Sequence, residues 1–347
     1  MAPVIEVRGL TKIYVQDFLD VEYGRLKIRW KNRRVVALED LSLDVEQGEI
    51  FGLLGPNGAG KTTAIKILMG IIFPTRGNAR IMGMPLGFKP VKAKIGFLPE
   101  NPYFYDYLSG REFLNYYGQL YGVPRKLRQK RIDELLELVG LSHALRTPLK
   151  GYSKGMLQRI GLAQTLLNDP QVIFLDEPQS GLDPLGRKEV RDLILQLRDQ
   201  GKTVFFSSHI LSDAEMVCDR VGIVYKGRLR SIGPLSTLLS AHTIEYEVVV
   251  RGLKPDSIEP FQQKATRTLI REKETLFSFQ QEEDAQALVR KTIADNAQLV
   301  SMTPRKETLE GYFLRQVDES QEDNQSERQA EELDEELDDV SEEKNAS

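Results

Sequence analysis

A glycine-rich loop constrains this chain more than any other feature. Its residues are Gly55, Pro56, Asn57, Gly58, Ala59, Gly60, Lys61, Thr62 and Thr63. They satisfy the pattern Gly-x4-Gly-Lys-Ser/Thr, and they lie between a mostly apolar run of strand length and a run with helical character. Glycines let backbone N–H groups approach an anion closely, and the helix that follows points its positive dipole end at the same place. The sequence therefore predicts an α/β unit with a phosphate-binding loop.

In such a loop the lysine and the hydroxyl after it have distinct tasks. Lys61 is expected to reach the β- and γ-phosphates of a nucleoside triphosphate, and the Thr62 hydroxyl is expected to ligate Mg²⁺. We therefore predict that all nine loop residues bind the nucleotide and that Lys61 also acts in catalysis. The alternative is a glycine-rich turn that matches the pattern by chance.

Two carboxylates follow a second apolar run. Residues 172–175 are all apolar, as expected of a strand buried on both faces of a parallel sheet. Asp176 and Glu177 stand at its C-terminal end, where open α/β sheets place their ligands. Because successive strand residues point to opposite sides, we predict Asp176 as a Mg²⁺ ligand and Glu177 as the general base for the attacking water. A solvated acidic turn before Pro178 is the alternative.

Further motifs follow in a fixed order along the chain. They are Leu98-Pro99-Glu100, Tyr152-Ser153-Lys154-Gly155-Met156, Ser180-Gly181-Leu182-Asp183, and His209 after Ser207-Ser208. Together with the phosphate loop and the two acids, this set resembles the ATP-binding cassette (ABC) ATPases, the motor subunits of ABC transporters. The resemblance covers about residues 4–234. It implies a P-loop NTPase cassette that binds ATP and Mg²⁺ and hydrolyses ATP.

The resemblance also implies that two copies share each nucleotide. Ser153 and Gly155 look like the family signature, which caps the γ-phosphate held by the loop of a second, facing cassette. A hydroxyl and backbone N–H groups at a helix start form another anion cradle, so the assignment is physically reasonable. The resemblance also implies that Asp183, in the loop after Glu177, binds the nucleotide. The chain is therefore expected to hydrolyse ATP as a dimer, most simply a homodimer.

Three more positions take roles from the same resemblance. His209 matches the family's switch histidine, which would contact the γ-phosphate and hold Glu177 and water in register; a core histidine is the alternative. Tyr14 lies where an aromatic ring stacks on adenine, although core packing would also explain a tyrosine. Glu100 replaces the usual glutamine, and its carboxylate could ligate Mg²⁺ directly while adding negative charge beside the phosphates.

The signature itself departs from the family's pattern. Lys154 replaces a glycine and Met156 replaces a glutamine, and Gln179 is unusual beside Pro178. We interpret these differences as subfamily variation rather than inactivation, because the lysine of the phosphate loop, both acids and the histidine are intact.

The charge of the chain is distributed unevenly. The net charge is −4 over 347 residues. Residues 318–347 contain 14 Asp or Glu and two Lys or Arg, a net of −12, so the remainder carries +8. This segment is predicted to be a disordered acidic tail, since it cannot bury enough apolar surface to fold. A partner-binding or autoinhibitory tail is the alternative to a purely solvated one.

Composition also indicates a compartment. Cys218 is the single cysteine, which excludes an intramolecular disulfide and fits a reducing environment. No signal-peptide pattern is evident at the N-terminus, and no stretch reaches 18 apolar residues. We therefore expect a cytoplasmic chain, peripheral on the cytoplasmic face of the plasma (inner) membrane, with the transport pathway on a separate integral membrane permease.

The domain organisation follows from these observations. Residues 1–234 are predicted to form the cassette, with a mixed sheet, an antiparallel β-subdomain and a helical subdomain. Gly233-Pro234 marks a break, after which residues 235–317 are predicted to form a small α+β accessory domain. An insertion at about 15–34 ends in alternating apolar and basic residues and is predicted as an extended hairpin. A basic contact with lipid headgroups or with the permease is the alternative.

The predicted function is an ATP-hydrolysing motor subunit of an ABC transporter that acts on a separate permease. The exporter type is favoured because accessory domains of similar size occur in exporter cassettes. Aromatic residues of the helical subdomain would suit the groove that receives a permease helix. A soluble ABC ATPase on ribosomes or nucleic acid is the alternative, although such proteins usually carry two cassettes or a long coiled-coil insertion. A regulator without turnover would need a damaged carboxylate, and no nucleic-acid partner is expected.

Overall fold

The computed structural model shows two compact units. It describes residues 3–22, 25–240, 243–271, 274–306 and 308–316, with side chains for these except 16–33, 240, 243, 244 and 306. Contacts divide the chain into one unit that contains Met1–Leu235 and a second unit, Ser236–Asp318. The division falls beside the Gly233-Pro234 break, and the first unit contains every motif identified in the sequence.

The first unit alternates strands and helices along most of its length. In chain order its elements are β1 (Ile5–Glu22), β2 (Arg25–Val45), β3 (Ile50–Leu54), α1 (Lys61–Leu68), β4 (Arg76–Ile81), β5 (Met84–Pro85), α2 (Lys89–Lys92), β6 (Ile95–Leu98), α3 (Gly110–Leu120), α4 (Arg125–Leu138), α5 (Lys154–Thr165), β7 (Val172–Asp176), α6 (Pro184–Asp199), β8 (Thr203–Ser208), α7 (Leu211–Glu215), β9 (Arg220–Tyr225) and β10 (Arg228–Pro234).

A six-stranded sheet forms the centre of this unit. Its order is β10-β9-β3-β8-β7-β6, and all neighbours are parallel except β9 and β10. Every residue of β3, β7 and β8 is buried, which explains their apolar character, since helices cover both faces of such a sheet. Because these three strands are parallel neighbours, their carboxyl ends meet at one edge, where α/β sheets bind their ligands.

Stacked aromatic rings hold the middle of this sheet together. The ring centroids of Phe51 and Phe205 lie 5.4 Å apart, and those of Phe174 and Phe205 lie 5.6 Å apart. All three side chains are fully buried, one each on β3, β7 and β8. Large buried aromatic surfaces contribute strongly to stability, so this cluster stabilises the packing of the three strands that carry the site.

Helices α3, α4 and α5 pack on one another and form the helical part of the unit. The sequence places Ser109 three residues before Glu112, the spacing of a capping box, and the structure shows one at the start of α3: the Ser109 backbone N–H donates to the Glu112 carboxylate, and the Ser109 hydroxyl accepts from the Glu112 N–H. Phe113 is buried, whereas Tyr103 and Tyr107 are exposed. The aromatic residues of this region therefore divide between the core and the surface.

A second, antiparallel sheet has the order β2-β1-β4-β5. Its two longest strands pair from Ile5 with Val45 out to Glu22 with Arg25, with a register shift after Gln16. The insertion expected at about 15–34 is thus a continuation of both strands, which run over 18 and 21 residues. The predicted basic face falls on side chains outside those described and stays a prediction.

The second unit follows the order strand, helix, strand, strand, helix, strand. After α8 (Leu235–Ser240), its elements are β11 (Thr243–Arg251), α9 (Pro255–Gln262), β12 (Arg267–Ile270), β13 (Glu274–Phe279), α10 (Glu282–Ala294) and β14 (Gln298–Lys306). The sheet order β12-β13-β11-β14 is antiparallel throughout. The core contains Val248, Val250, Phe277, Phe279 and Leu288. This is the split βαβ arrangement of ferredoxin-like domains.

The predicted fold class, an α/β cassette with a small α+β domain, is confirmed by this arrangement. In the second unit, the alternation at residues 244–248, the helical spacing of apolar residues at 285–293 and the apolar run at 299–302 predict two strands and a helix, which are β11, α10 and β14; α9, β12 and β13 are short and lack clear periodicity. In the part of the chain that the structure describes, no helix is long and apolar enough to cross a membrane.

Candidate functional site

The phosphate loop follows β3 and borders a cleft of about 350 Å³. The cleft is lined by Ala37, Asn57, Gly58, Ala59, Gly60, Lys61, Thr62, Thr63, Glu100 and Glu177. Gly60 is the N-cap of α1 with a φ of 107°, and a Cβ there would overlap the carbonyl oxygen of Ala37. Only glycine allows this backbone. The structure therefore brings most of the predicted loop residues, Glu100 and Glu177 around one cleft.

Lys61 is buried, and three groups surround its ammonium. It donates to the carbonyl oxygens of Gly55 at 2.7 Å and Pro56 at 3.1 Å. It also lies 3.1 Å from Glu177 Oε1, an ion pair without hydrogen-bond geometry. Gly55 and Pro56 thus contact Lys61 through their carbonyl groups, and they do not line the cleft. The Glu177 carboxylate balances the lysine charge, which a buried cation requires.

Asp176 is the last residue of β7. Its side chain is almost fully buried and accepts hydrogen bonds from two hydroxyl groups. Its Oδ1 accepts from Ser207 Oγ at 2.7 Å and from Thr62 Oγ1 at 3.0 Å. Burial raises the pKa of Asp176, and the two hydrogen bonds oppose that rise because they favour the ionised carboxylate. Two of the three predicted Mg²⁺ ligands, Thr62 and Asp176, therefore lie in direct contact.

Glu177 lies between the lysine and the histidine. Its backbone has a φ of 49°, which is uncommon for a residue with a Cβ and holds the carboxylate at the turn after β7. The Glu177 N–H donates to Ser207 Oγ at 3.0 Å. Glu177 Oε2 lies 2.7 Å from His209 Nδ1 and accepts from the His209 N–H at 3.3 Å. The predicted base and switch histidine are thus brought together, with His209 partly exposed and Glu177 buried.

The donor set fits a magnesium ion held jointly with phosphates. Among the described residues, no three or more His, Cys, Asp or Glu side chains group closely enough to hold a metal. Mg²⁺ is usually bound by one or two carboxylates together with substrate phosphates and waters, and not by a cage of protein ligands. The site matches this mode of coordination, because the Asp176 carboxylate lies beside the Thr62 hydroxyl and Glu100 lines the wall of the cleft.

The signature residues lie apart from the cleft. Ser153 is the N-cap of α5, and its hydroxyl accepts from the Met156 N–H at 3.3 Å. Ser153 is exposed and Gly155 is half-buried. Neither residue lines the cleft of its own chain. A capped helix start with free N–H groups thus faces solvent, as a half-site for an anion from another molecule would.

Two other predicted residues also lie outside the cleft lining. Tyr14 is 38 % exposed on β1, with the Lys12 ammonium 5.1 Å from the centre of its ring. Asp183 is the N-cap of α6, and its Oδ1 accepts from the Gly186 N–H at 2.8 Å. The capping bond is a structural role for Asp183; contact of either residue with a nucleotide stays a prediction.

Sequence reasoning missed two residues of the site. Ser207 bridges Asp176 and Glu177, and Ala37 lines the cleft from β2. A serine directly after the apolar residues Val204, Phe205 and Phe206 was the available indication for Ser207. Its role depends on the parallel register that places it beside Asp176, which the sequence does not show.

Comparison with known proteins agrees with this geometry. Residues 38–180 match the family model described as ABC transporter. The chain is 46% identical over 320 residues, 92% of this chain and 86% of the relative, to an ABC transporter ATP-binding protein of Synechocystis sp.. It is 40% identical over 232 residues, 66% of this chain and 69% of the relative, to the bacitracin transport ATP-binding protein BcrA of Bacillus licheniformis.

A solved structure shows the same fold. The structure of an ATP binding subunit of an ABC transporter matches with a TM-score of 0.56 and 30% identity, over 68% of this chain and 91% of that one. The family model, the relatives and the solved structure agree with one another. The chain belongs to the ATP-binding proteins of ABC transporters, and it is an ATPase of that family.

Proposed function

We propose that this protein is the motor subunit of an exporter, in which two copies clamp ATP and thereby drive a separate membrane permease. One observation carries the proposal: Lys61, Thr62 and Glu177 line one cleft, with Asp176 and His209 in contact with them, while Ser153 and Gly155 of the same chain do not line that cleft. Each chain therefore offers two different half-sites. Two copies facing one another would complete both.

Glu177 acts as the base in this proposal. His209 and Lys61 flank its carboxylate and hold it in place at the wall of the cleft, where a water molecule can approach. The carboxylate accepts a proton from that water as the water attacks the γ-phosphate. His209 is partly exposed and contacts the Glu177 carboxylate, so in this proposal it holds Glu177 in place and contacts the γ-phosphate.

Lys61 changes partners when ATP binds. Its ammonium is held by the carbonyl oxygens of Gly55 and Pro56 and by Glu177. The β- and γ-phosphates carry more charge than these carbonyls, and charge-assisted hydrogen bonds are the stronger ones. Binding of ATP therefore draws Lys61 away from Glu177 and leaves that carboxylate free to accept a proton.

Asp176, Thr62 and Glu100 are the residues that would hold Mg²⁺. When bound, the ion neutralises charge that develops on the phosphates. Asp176 must be ionised for this task, and its hydrogen bonds from Ser207 and Thr62 favour the ionised form against burial. The Thr62 hydroxyl already points at the carboxylate with which it would share the ion.

Several features support an exporter that works on a permease at the cytoplasmic face of the membrane. A relative that covers much of the cassette is named for bacitracin transport. The second unit is a separate accessory domain of the size expected in exporter cassettes. Exposed Tyr103 and Tyr107 contact Tyr105 edge to face on the helical part, where a permease helix would dock.

The partner can be tested directly. Affinity-tagged chain expressed in its own host should co-purify with a multi-spanning membrane protein after mild detergent extraction. Tyr103→Ala combined with Tyr107→Ala should lose that protein, because the exposed aromatic surface is removed. Ile293→Ala, which truncates a residue equally exposed on the second unit, is the control and should retain it. A chain that instead stays on ribosomes or nucleic acid through salt washes would contradict the proposal.

A further inference from the structure

Lys154 is the residue of the signature that neither the helix nor the cleft explains. It is the first residue of α5, directly after the Ser153 N-cap, where the family has glycine. A cation at this end opposes the helix dipole, and the first turn contains no acidic residue to compensate it. Lys154 is exposed, and its side chain forms no hydrogen bond or ion pair with any residue that the structure describes. A lysine at this position therefore needs another explanation.

The Lys154 side chain reaches the loop that follows the catalytic glutamate. A Cβ built on Gly181 would lie 2.9 Å from Lys154 Cε and closer still to Nζ, so the end of the lysine occupies the space beside the Gly181 Cα. Gly181 has a φ of 67°, a left-handed conformation that glycine adopts most easily. The missing side chain at 181 thus both permits the turn and makes room for the lysine.

Backbone hydrogen bonds within a few residues connect that turn to Glu177. The Ser180 N–H donates to the Glu177 carbonyl oxygen at 3.0 Å, and the Leu182 N–H donates to the Gln179 carbonyl oxygen at 3.3 Å. Gln179 is buried, so the turn has little freedom to move independently of the base. A shift of Gly181 is therefore passed to Glu177 within four residues.

We propose that Lys154 is a positioning residue that couples the two ATP sites of the dimer. A nucleotide held by the opposite copy docks on Ser153 and Gly155 and moves the start of α5. Lys154 carries that movement to Gly181, and the turn carries it to Glu177 in the site of its own chain. The proposal rests on the shared sites proposed above. It explains the lysine at position 154 and the glycine at position 181 together.

The pair can be tested by a double-mutant cycle on the full chain. Lys154→Gly removes the contact from one side, and Gly181→Ala removes it from the other by displacing the lysine. We expect each change to lower kcat at least about fivefold and to bring the Hill coefficient for ATP to 1, with KM nearly unchanged. Lys154→Gly with Gly181→Ala should be no worse than the more severe single variant, because both remove one interaction.

Matched controls distinguish loss of coupling between the ATP sites from backbone strain at position 181 and from the loss of one positive charge. Gly201→Ala places a Cβ at a φ of 79° with nothing within 4 Å, so it should share any loss of thermal stability with Gly181→Ala but keep wild-type cooperativity. Lys150→Met removes another exposed lysine close in sequence and should leave kcat and the Hill coefficient unchanged. Lys154→Met keeps most of the reach of the side chain and should lose less than Lys154→Gly.

The outcomes are distinct. Additive losses in the double variant, or a Gly181→Ala chain as cooperative as Gly201→Ala, would overturn the inference. The inference would also be overturned if Lys154→Met lowered kcat and the Hill coefficient as much as Lys154→Gly while Gly181→Ala left both unchanged. The ammonium would then act directly on the opposite nucleotide. A wild-type chain that forms no ATP-dependent dimer and has a Hill coefficient of 1 would instead contradict the proposed function, and the inference with it.

Discussion

Glu177→Gln is expected to lower kcat by at least about 100-fold while the protein continues to bind ATP, because it removes the general base. Glutamine has nearly the same shape and can still accept from His209, so the site should keep its form. The change also removes the carboxylate that pairs with Lys61, which leaves the ammonium free for the phosphates. The variant should therefore accumulate as an ATP-bound dimer.

This expectation requires two measurements on the same preparation. Steady-state phosphate release gives kcat, and size-exclusion chromatography with and without ATP gives the oligomeric state. Glu134→Gln, on the exposed surface of α4, is the control and should behave as the wild type in both. A Glu177→Gln chain that turns over normally would remove Glu177 from the role of base.

Lys61→Ala is expected to abolish nucleotide binding. Two or more charge-assisted hydrogen bonds to the phosphates would be lost, at about 1.5–3 kcal/mol each, so ATP affinity should fall by at least about 100-fold. The buried Glu177 would also lose its nearest cation, and electrostatic repulsion of the triphosphate would increase.

The loss can be followed by titration with a fluorescent ATP analogue and by the ATP-induced rise in melting temperature, which vanishes when binding is lost. Lys188→Met changes an exposed lysine on α6 and is the control for the loss of one positive charge. Retained affinity and turnover in Lys61→Ala would show that the lysine is not the phosphate ligand.

Local patterns in the sequence located most of the cleft. The phosphate loop and the acids after an apolar run are contiguous, and their spacing alone predicts a strand, a turn and a helix around an anion. The capping box at Ser109 was equally predictable, since both partners lie within one turn. The same holds for α10, whose apolar spacing is helical.

Features that depend on distant pairing were not predictable. Ser207 acts because β8 lies beside β7, and Lys154 meets Gly181 across 27 positions of sequence. The length of the β1–β2 hairpin follows from register along both strands, not from the composition of either one. In the second unit, β12 is a four-residue edge strand, too short for alternation to identify.

The central claim is that two copies share each ATP, and complementation between two inactive chains tests it most directly. Lys61→Ala destroys the phosphate loop but leaves the signature, whereas Ser153→Asp preserves a helix cap and places a negative charge where the γ-phosphate would dock. Equal mixing should give about half heterodimers, each with one intact composite site, and so about a quarter of the wild-type sites. We predict that ATPase activity returns on mixing; activity that stays at the level of the separate variants would contradict the account.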